Sequence, residues 1–143
     1  MSDPHTLQRF VDAQASVFES ALAELRAGSK QSHWMWFIFP QLAGLGRSPT
    51  AIFYAITSFA EARAYLEHPL LGTRLRHSIE AILPWAGGLS AEQIFGPADA
   101  TKLRSSLTLF DRVSPNDLFR RGLDAFFAGA RDERTLALLE PKE

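Results

Sequence analysis

Lys30-Gln-Ser-His-Trp-Met-Trp-Phe-Ile-Phe-Pro-Gln41 is the stretch on which the fold class turns. Residues 34 to 39 are all apolar, so they are buried or line a cavity. A continuous apolar run of this length suits a buried strand or a buried helix. Its Trp, Phe and Ile content leans toward an extended segment, while Lys30 to Phe39 also fits one short helix. Two of the three Trp, two Phe, a His and a Lys fall within these twelve residues. A buried Trp or His needs a partner for its ring N–H. A basic residue, an imidazole and an aromatic wall together suit a pocket for a flat or anionic small molecule.

Outward from this stretch the signals are helical. Leu7, Phe10, Val11, Phe18, Ala21, Leu22 and Leu25 recur at helical spacing, which predicts one long amphipathic helix stopped at Gly28. Beyond Pro40, Gly44-Leu-Gly-Arg-Ser48 is a loop. Ser48-Pro49 reads as an N-cap with Pro at the first helical position. Ser58-Phe-Ala-Glu61 and Ser90-Ala-Glu-Gln93 have capping-box spacing. His68-Pro69 breaks one helix, and Leu70, Leu71, Leu75, Ile79, Ile82 and Leu83 mark the next, closed before Pro84 and Gly87-Gly88. A short helix ends near Gly96-Pro97. Asp99 then caps a helix carrying Leu103, Leu107 and Phe110. Ser114-Pro115-Asn-Asp117 opens another with Leu118, Leu123, Phe126 and Phe127 inward, and a last short helix covers 132 to 139. Connections are short and strand signals nearly absent. The expectation is an all-α (mainly α), compact single domain of about seven helices over residues 1–143, frayed at 1–4 and 140–143.

Composition bounds the function. At 143 residues the chain buries a proper core as one domain. Apolar residues make up 46% and charged residues 22%, and 15 basic against 16 acidic residues leave a net charge of −1. That balance speaks against a dedicated nucleic-acid or anionic-membrane surface, though not against a local basic pocket. The absence of Cys removes disulfides, thiolate catalysis and Cys-ligated zinc. The four His (His5, His33, His68 and His77) have no ligand spacing, so neither a metal nor another cofactor is expected. With no signal segment and no run long enough to span a bilayer, the expected location is the cytoplasm.

Three groups of residues carry candidate chemistry. Lys30 at the polar entry to the aromatic segment can pair with phosphate or carboxylate, and His33 can act as an acid or base near neutral pH. Trp34 and Trp36 offer stacking faces, with Gln41 a further polar group. Gly44, Gly46, Arg47 and Ser48 form a second group, in which glycine backbone and side-chain donors approach an anion. It lacks the preceding strand of a dinucleotide fingerprint and the Gly-Lys-Ser of a P-loop. The third group is Asp99, Lys102, Ser105 and Ser106 on one helix, where Asp99 and Lys102 share a face. A Ser/His/Asp hydrolase has no Gly-x-Ser-x-Gly elbow to support it. Glu61 reads as a capping-box carboxylate or as a pocket acid.

These residues resemble a family of small bacterial proteins grouped as a domain of unknown function, DUF1810. The matching stretches are Lys30 with His33-Trp-Met-Trp-Phe-Ile-Phe-Pro-Gln41; Gly44-Leu-Gly with Ser48; Tyr54-Ala-Ile with Glu61-Ala62 and Tyr65-Leu66; His68-Pro69-Leu-Leu-Gly72 with Arg74-Leu75; and Ile94-Phe-Gly96 with Asp99, Lys102-Leu103, Ser105-Ser106 and Thr108-Leu-Phe110. They span roughly residues 7 to 139. The resemblance implies a mainly helical fold and brings no activity. Genome annotation often labels such proteins calpastatin, but calpastatins are disordered and this sequence reads as folded. A weaker similarity links the aromatic polar entry and the late Asp and Lys to NADAR-type N-glycosidases, which act on ADP-ribose-type N-glycosides. None of their catalytic residues aligns here, so none is transferred.

Three functional readings follow. The first is an N-glycosidase-type enzyme on a phosphorylated ribosyl or nucleotide-like ligand. In it Trp34 or Trp36 stacks, Lys30, Arg47 and Lys102 hold phosphate, and His33, Asp99 or Glu61 supplies acid/base function. The second is a non-catalytic module that senses a small anionic metabolite or uses the aromatics as protein-binding anchors. The third is purely structural, with these polar groups bonded to one another and no open pocket.

Overall fold

A computed structural model describes residues 3–115 and 117–140. The fraying expected at residues 1–2 and 141–143, and the Asn116 position in the turn after Pro115, lie outside the described residues. Ten α-helices and one 3-10 turn make up the described chain: α1 Gln8–Gln14, α2 Phe18–Arg26, α3 Met35–Ile38, α4 Pro49–Phe53, α5 Phe59–Glu67, α6 Leu71–Ile82, the 3-10 turn Leu83–Trp85, α7 Ala91–Phe95, α8 Pro97–Val113, α9 Leu118–Phe127 and α10 Glu133–Leu139. Among the described residues there is no strand, only an isolated parallel bridge between Leu42 and Ile56. The fold is all-α. The aromatic stretch resolves as one helical turn, α3, entered at Trp34 and ended at Phe39 before Pro40.

The helix expected over residues 7–25 is two helices. Gln14 occupies a core position, 1% exposed, and its side chain reaches across the chain. Its Nε2 donates to the Phe37 carbonyl at 2.7 Å and to the Tyr65 hydroxyl at 3.1 Å, while its Oε1 accepts from Arg74 at 3.3 Å. A buried amide so satisfied fixes α1 against α3. The chain then turns through residues 15–17 and sets α2 against α6 instead. Asp3 ties the start of α1, accepting from the N–H groups of Leu7 and Gln8 at 2.8 and 2.9 Å. Gly28 ends α2 at φ +69°, with Gly28 N–H to the Leu25 carbonyl and Ser29 N–H to the Glu24 carbonyl, both 3.0 Å.

The 17-residue α8 lies at the centre, against α5, α7, α9 and α10. Three of its four hydroxyls are absorbed by its own backbone: Thr101 donates to the Pro97 carbonyl, Ser105 to Thr101, and Thr108 to Arg104 at 2.8 Å. An aromatic column runs through the core. Tyr54, Phe10, Tyr65, Phe110 and Phe119 follow one another at 5.0 to 5.8 Å between centroids. Each such contact is worth about 0.5–1.5 kcal/mol beyond the area it buries. Burial pushes the Tyr65 phenol well above its ordinary pKa, opposed in part by the Gln14 amide and the Arg74 charge.

Helix ends follow local chemistry. Ser48 caps α4 through Ala51 N–H at 3.1 Å, with Pro49 first in the helix. Ser90 and Gln93 form a complete capping box on α7. At α5 only half of the expected box exists: Ser58 accepts from Glu61 N–H, but the Glu61 carboxylate turns away from the cap. Asp99 is likewise not the cap of α8. Gly96 holds that position with Pro97 behind it, and Asp99 sits in the first turn.

Candidate functional site

An open cleft of about 660 Å³ separates the loop 45–48 and α4 from the outer face of α8 and the start of α10. This volume falls in the range of small-molecule sites. Trp36 and Gln41 form one side, Gly46, Arg47 and Ser48 the rim, Thr101, Lys102, Arg104 and Ser105 the α8 wall, and Asp132 with Arg134 the far end. Leu42 and Ile56 hold the base of the rim loop: Ala43 N–H donates to the Ile56 carbonyl at 2.8 Å and Ile56 N–H to the Gln41 carbonyl at 2.9 Å.

Four cations and one carboxylate face this space. Arg47 and Arg134 are exposed, and with Arg104 they make no ion pair among the described residues. Arg104 lies with its guanidinium 5.9 Å from the Phe127 ring centre, and its Nε is buried without a hydrogen-bond partner. Lys102 lies 5.0 Å above the Trp36 ring and 3.3 Å from Asp99. Asp132 caps α10, with Oδ2 accepting from Thr135 N–H at 3.0 Å and from the Thr135 hydroxyl at 2.5 Å.

The sequence-predicted residues divide. The structure brings together Trp36, Gln41, Gly46, Arg47, Ser48, Lys102 and Ser105 on the cleft. Asp99 stands behind Lys102, shared between that ammonium and Lys30 at 2.9 Å. Lys30 itself is turned inward: its side chain is 8% exposed, bonded to the Ser32 carbonyl and set 4.9 Å over the Trp34 ring. Trp34 is fully buried and spends its indole N–H on Glu24 at 2.9 Å, so its faces meet Phe39 and Phe95 rather than a ligand. Gly44 lies against Leu138, and the buried Ser106 hydroxyl has no partner and does not reach the cleft. His33 is exposed and lies outside the cleft lining.

Glu61 lies outside the cleft as well. It is 2% exposed and accepts from Thr57 N–H and the Thr57 hydroxyl, both at 2.8 Å, and from Arg9 at 2.8 Å. Arg9 also donates to the carbonyls of Phe53 and Ala55. The pair therefore clamps the chain at the C-terminal end of α4.

Arg104, Asp132 and Arg134 are the charged cleft residues that the sequence reading did not single out. Asp132 followed three residues later by Thr135 was legible as a cap. Nothing local announces that it shares a cavity with Trp36. Among the described residues, no group of three or more His, Asp and Glu could hold a metal ion, and no helix is long and apolar enough to cross a membrane.

The family model described as protein of unknown function (DUF1810) matches residues 4–139. The crystal structure of the conserved hypothetical protein Rv1873 from Mycobacterium tuberculosis is 51% identical in sequence, with a TM-score of 0.94 over 98% of this chain and 100% of that one. No match was found among curated proteins.

Proposed function

The chain belongs to the DUF1810 family, a membership that brings no activity with it, and from the cleft we propose that the protein binds a phosphorylated ribosyl or nucleotide-like small molecule. One observation carries this reading: Arg47, Lys102, Arg104 and Arg134 converge on one cavity with Trp36, and three of the four have no ionic partner. Unpaired guanidinium groups beside an aromatic face favour an anion attached to something flat or cyclic. Lys102 is the cation best placed to change partners, since a phosphate at the cleft competes with Asp99 for its ammonium. Small cavity size and near-neutral overall charge favour a metabolite over a polynucleotide.

N-glycosidic cleavage is a second reading, favoured by the Asp132 carboxylate among the cations. A carboxylate so placed stabilises the oxocarbenium-like charge of that reaction. Asp99, tied to two ammonium groups, is the weaker acid/base candidate, and His33 and Glu61 take no part.

A thermal-shift screen against inorganic phosphate, sugar phosphates, nucleotides and ADP-ribose tests the binding reading, because a ligand that binds only the native state raises the midpoint. The expected result is a dose-dependent rise with at least one phosphorylated ribosyl compound, lost in Arg47→Ala/Arg134→Ala. Those two side chains are exposed and unpaired, so their removal leaves the fold intact. No shift with any of these compounds in a cooperatively melting protein overturns it. Release of free base from ADP-ribose or a nucleoside phosphate, abolished in Asp132→Asn, decides for or against turnover.

A further inference from the structure

Arg104 and Asp132 carry opposite charges on the same cleft and make no ion pair with each other. Both are held from behind. Thr108 is fully buried between them: Asp132 N–H donates to its hydroxyl oxygen at 2.9 Å, and that hydroxyl donates to the Arg104 carbonyl at 2.8 Å. Thr135 fixes one carboxylate oxygen of Asp132, leaving Oδ1 with no hydrogen bond among the described residues. Arg104 Nε is a buried donor with nothing to donate to. The Arg104 donor is costly to leave unsatisfied, and Asp132 presents its free oxygen on the same cleft.

A bridging ligand must accept from Arg104 and donate to Asp132. Sulfate, which carries no proton at neutral pH, does only the first, and its charge is repelled by the carboxylate. A sugar phosphate does both, through its phosphoryl oxygens and a free hydroxyl. We infer that Asp132 is the specificity-determining residue of the cleft, reading a sugar hydroxyl beside the phosphate and rejecting anions that carry no hydrogen-bond donor; this rests on the phosphate-binding reading above.

The test compares binding of ribose 5-phosphate and sulfate by calorimetry in the wild type and in Asp132→Asn. Asn caps helices as well as Asp does, so the variant keeps its α10 start. A hydrogen bond to a charged group corresponds to about tenfold to hundredfold in affinity. The wild type is expected to prefer ribose 5-phosphate by at least that lower factor. Asp132→Asn is expected to lose the preference and to bind sulfate more tightly than the wild type does, a gain that a purely structural role for Asp132 does not produce. Equal wild-type affinities, or a preference retained in Asp132→Asn, overturn the inference and leave the phosphate reading standing. Binding of neither compound overturns both.

Discussion

Replacing Arg9 by Ala removes a guanidinium that serves five acceptors. These are the carbonyls of His5 and Thr6 at 2.8 Å, Phe53 at 2.8 Å, Ala55 at 3.0 Å and the Glu61 carboxylate at 2.8 Å. Arg9 is 11% and Glu61 2% exposed, so water replaces little of what is lost. Breaking one partner from a buried ion pair costs about 3–5 kcal/mol, because the remaining charge stays buried. Thr57 still donates twice to Glu61, which places the expected loss near the lower end, about 3 kcal/mol. For a chain of this length that lowers the midpoint by roughly 10 °C. Urea unfolding followed by tryptophan fluorescence measures it. Arg9→Ala/Glu61→Gln, which removes the stranded charge as well, is expected to be no less stable than Arg9→Ala alone. A loss under about 1 kcal/mol in Arg9→Ala, or a double variant that loses the full sum of both single effects, refutes the clamp.

Three further outcomes are expected. Gly72→Ala should destabilise severely, because a Cβ there would stand 2.0 Å from the Leu66 carbonyl oxygen, where α6 leaves α5; thermal melting of the purified variant checks it. Glu24 is expected to contribute to acid stability: burial alone would raise its pKa, but donors from Gln31 N–H, the Ser32 hydroxyl, the Trp34 indole and Ser32 N–H together lower it. A lowered native pKa gives stability that is present above the unfolded value of about 4.3 and is lost as pH falls through the native one, so stability between about pH 5 and 2 should fall less steeply in Glu24→Gln than in the wild type, as read by urea titrations. Lys102→Ala should weaken phosphate-ligand binding about tenfold while moving the midpoint of the free protein little, since its side chain is 30% exposed and Asp99 keeps Lys30; calorimetry and melting together separate the two effects.

Caps and breaks were readable because they are local chemistry: Ser48-Pro49, Ser90 with Gln93, and Gly28 each form the hydrogen bonds their spacing implies. Gln14 was not. A polar residue on an apolar helical face reads as a tolerated exception, whereas it enters the core and divides the helix. The aromatic stretch misled for a related reason. Its richest residue, Trp34, is structural, and its neighbour Trp36 reaches the cleft because a one-turn helix points successive side chains apart. Lys30 and Glu61 found partners far along the chain, Asp99 and Arg9, that no spacing rule connects. Half of the cleft comes from α8 and α10, so Arg104, Asp132 and Arg134 could be assigned to it only after the fold had closed.

The three tryptophans give the most direct test of the cleft as the binding site. Trp36 lines it, Trp34 is buried on Glu24, and Trp85 lies in a separate hollow with Arg26 and Pro84. A nitrogen–proton correlation spectrum of the labelled protein resolves their three indole N–H signals during titration with ribose 5-phosphate. Saturable movement of the Trp36 signal, with Trp34 and Trp85 unmoved, is the outcome that phosphate binding at the cleft requires. A spectrum that does not change at millimolar ligand, or one in which Trp85 moves and Trp36 does not, contradicts it.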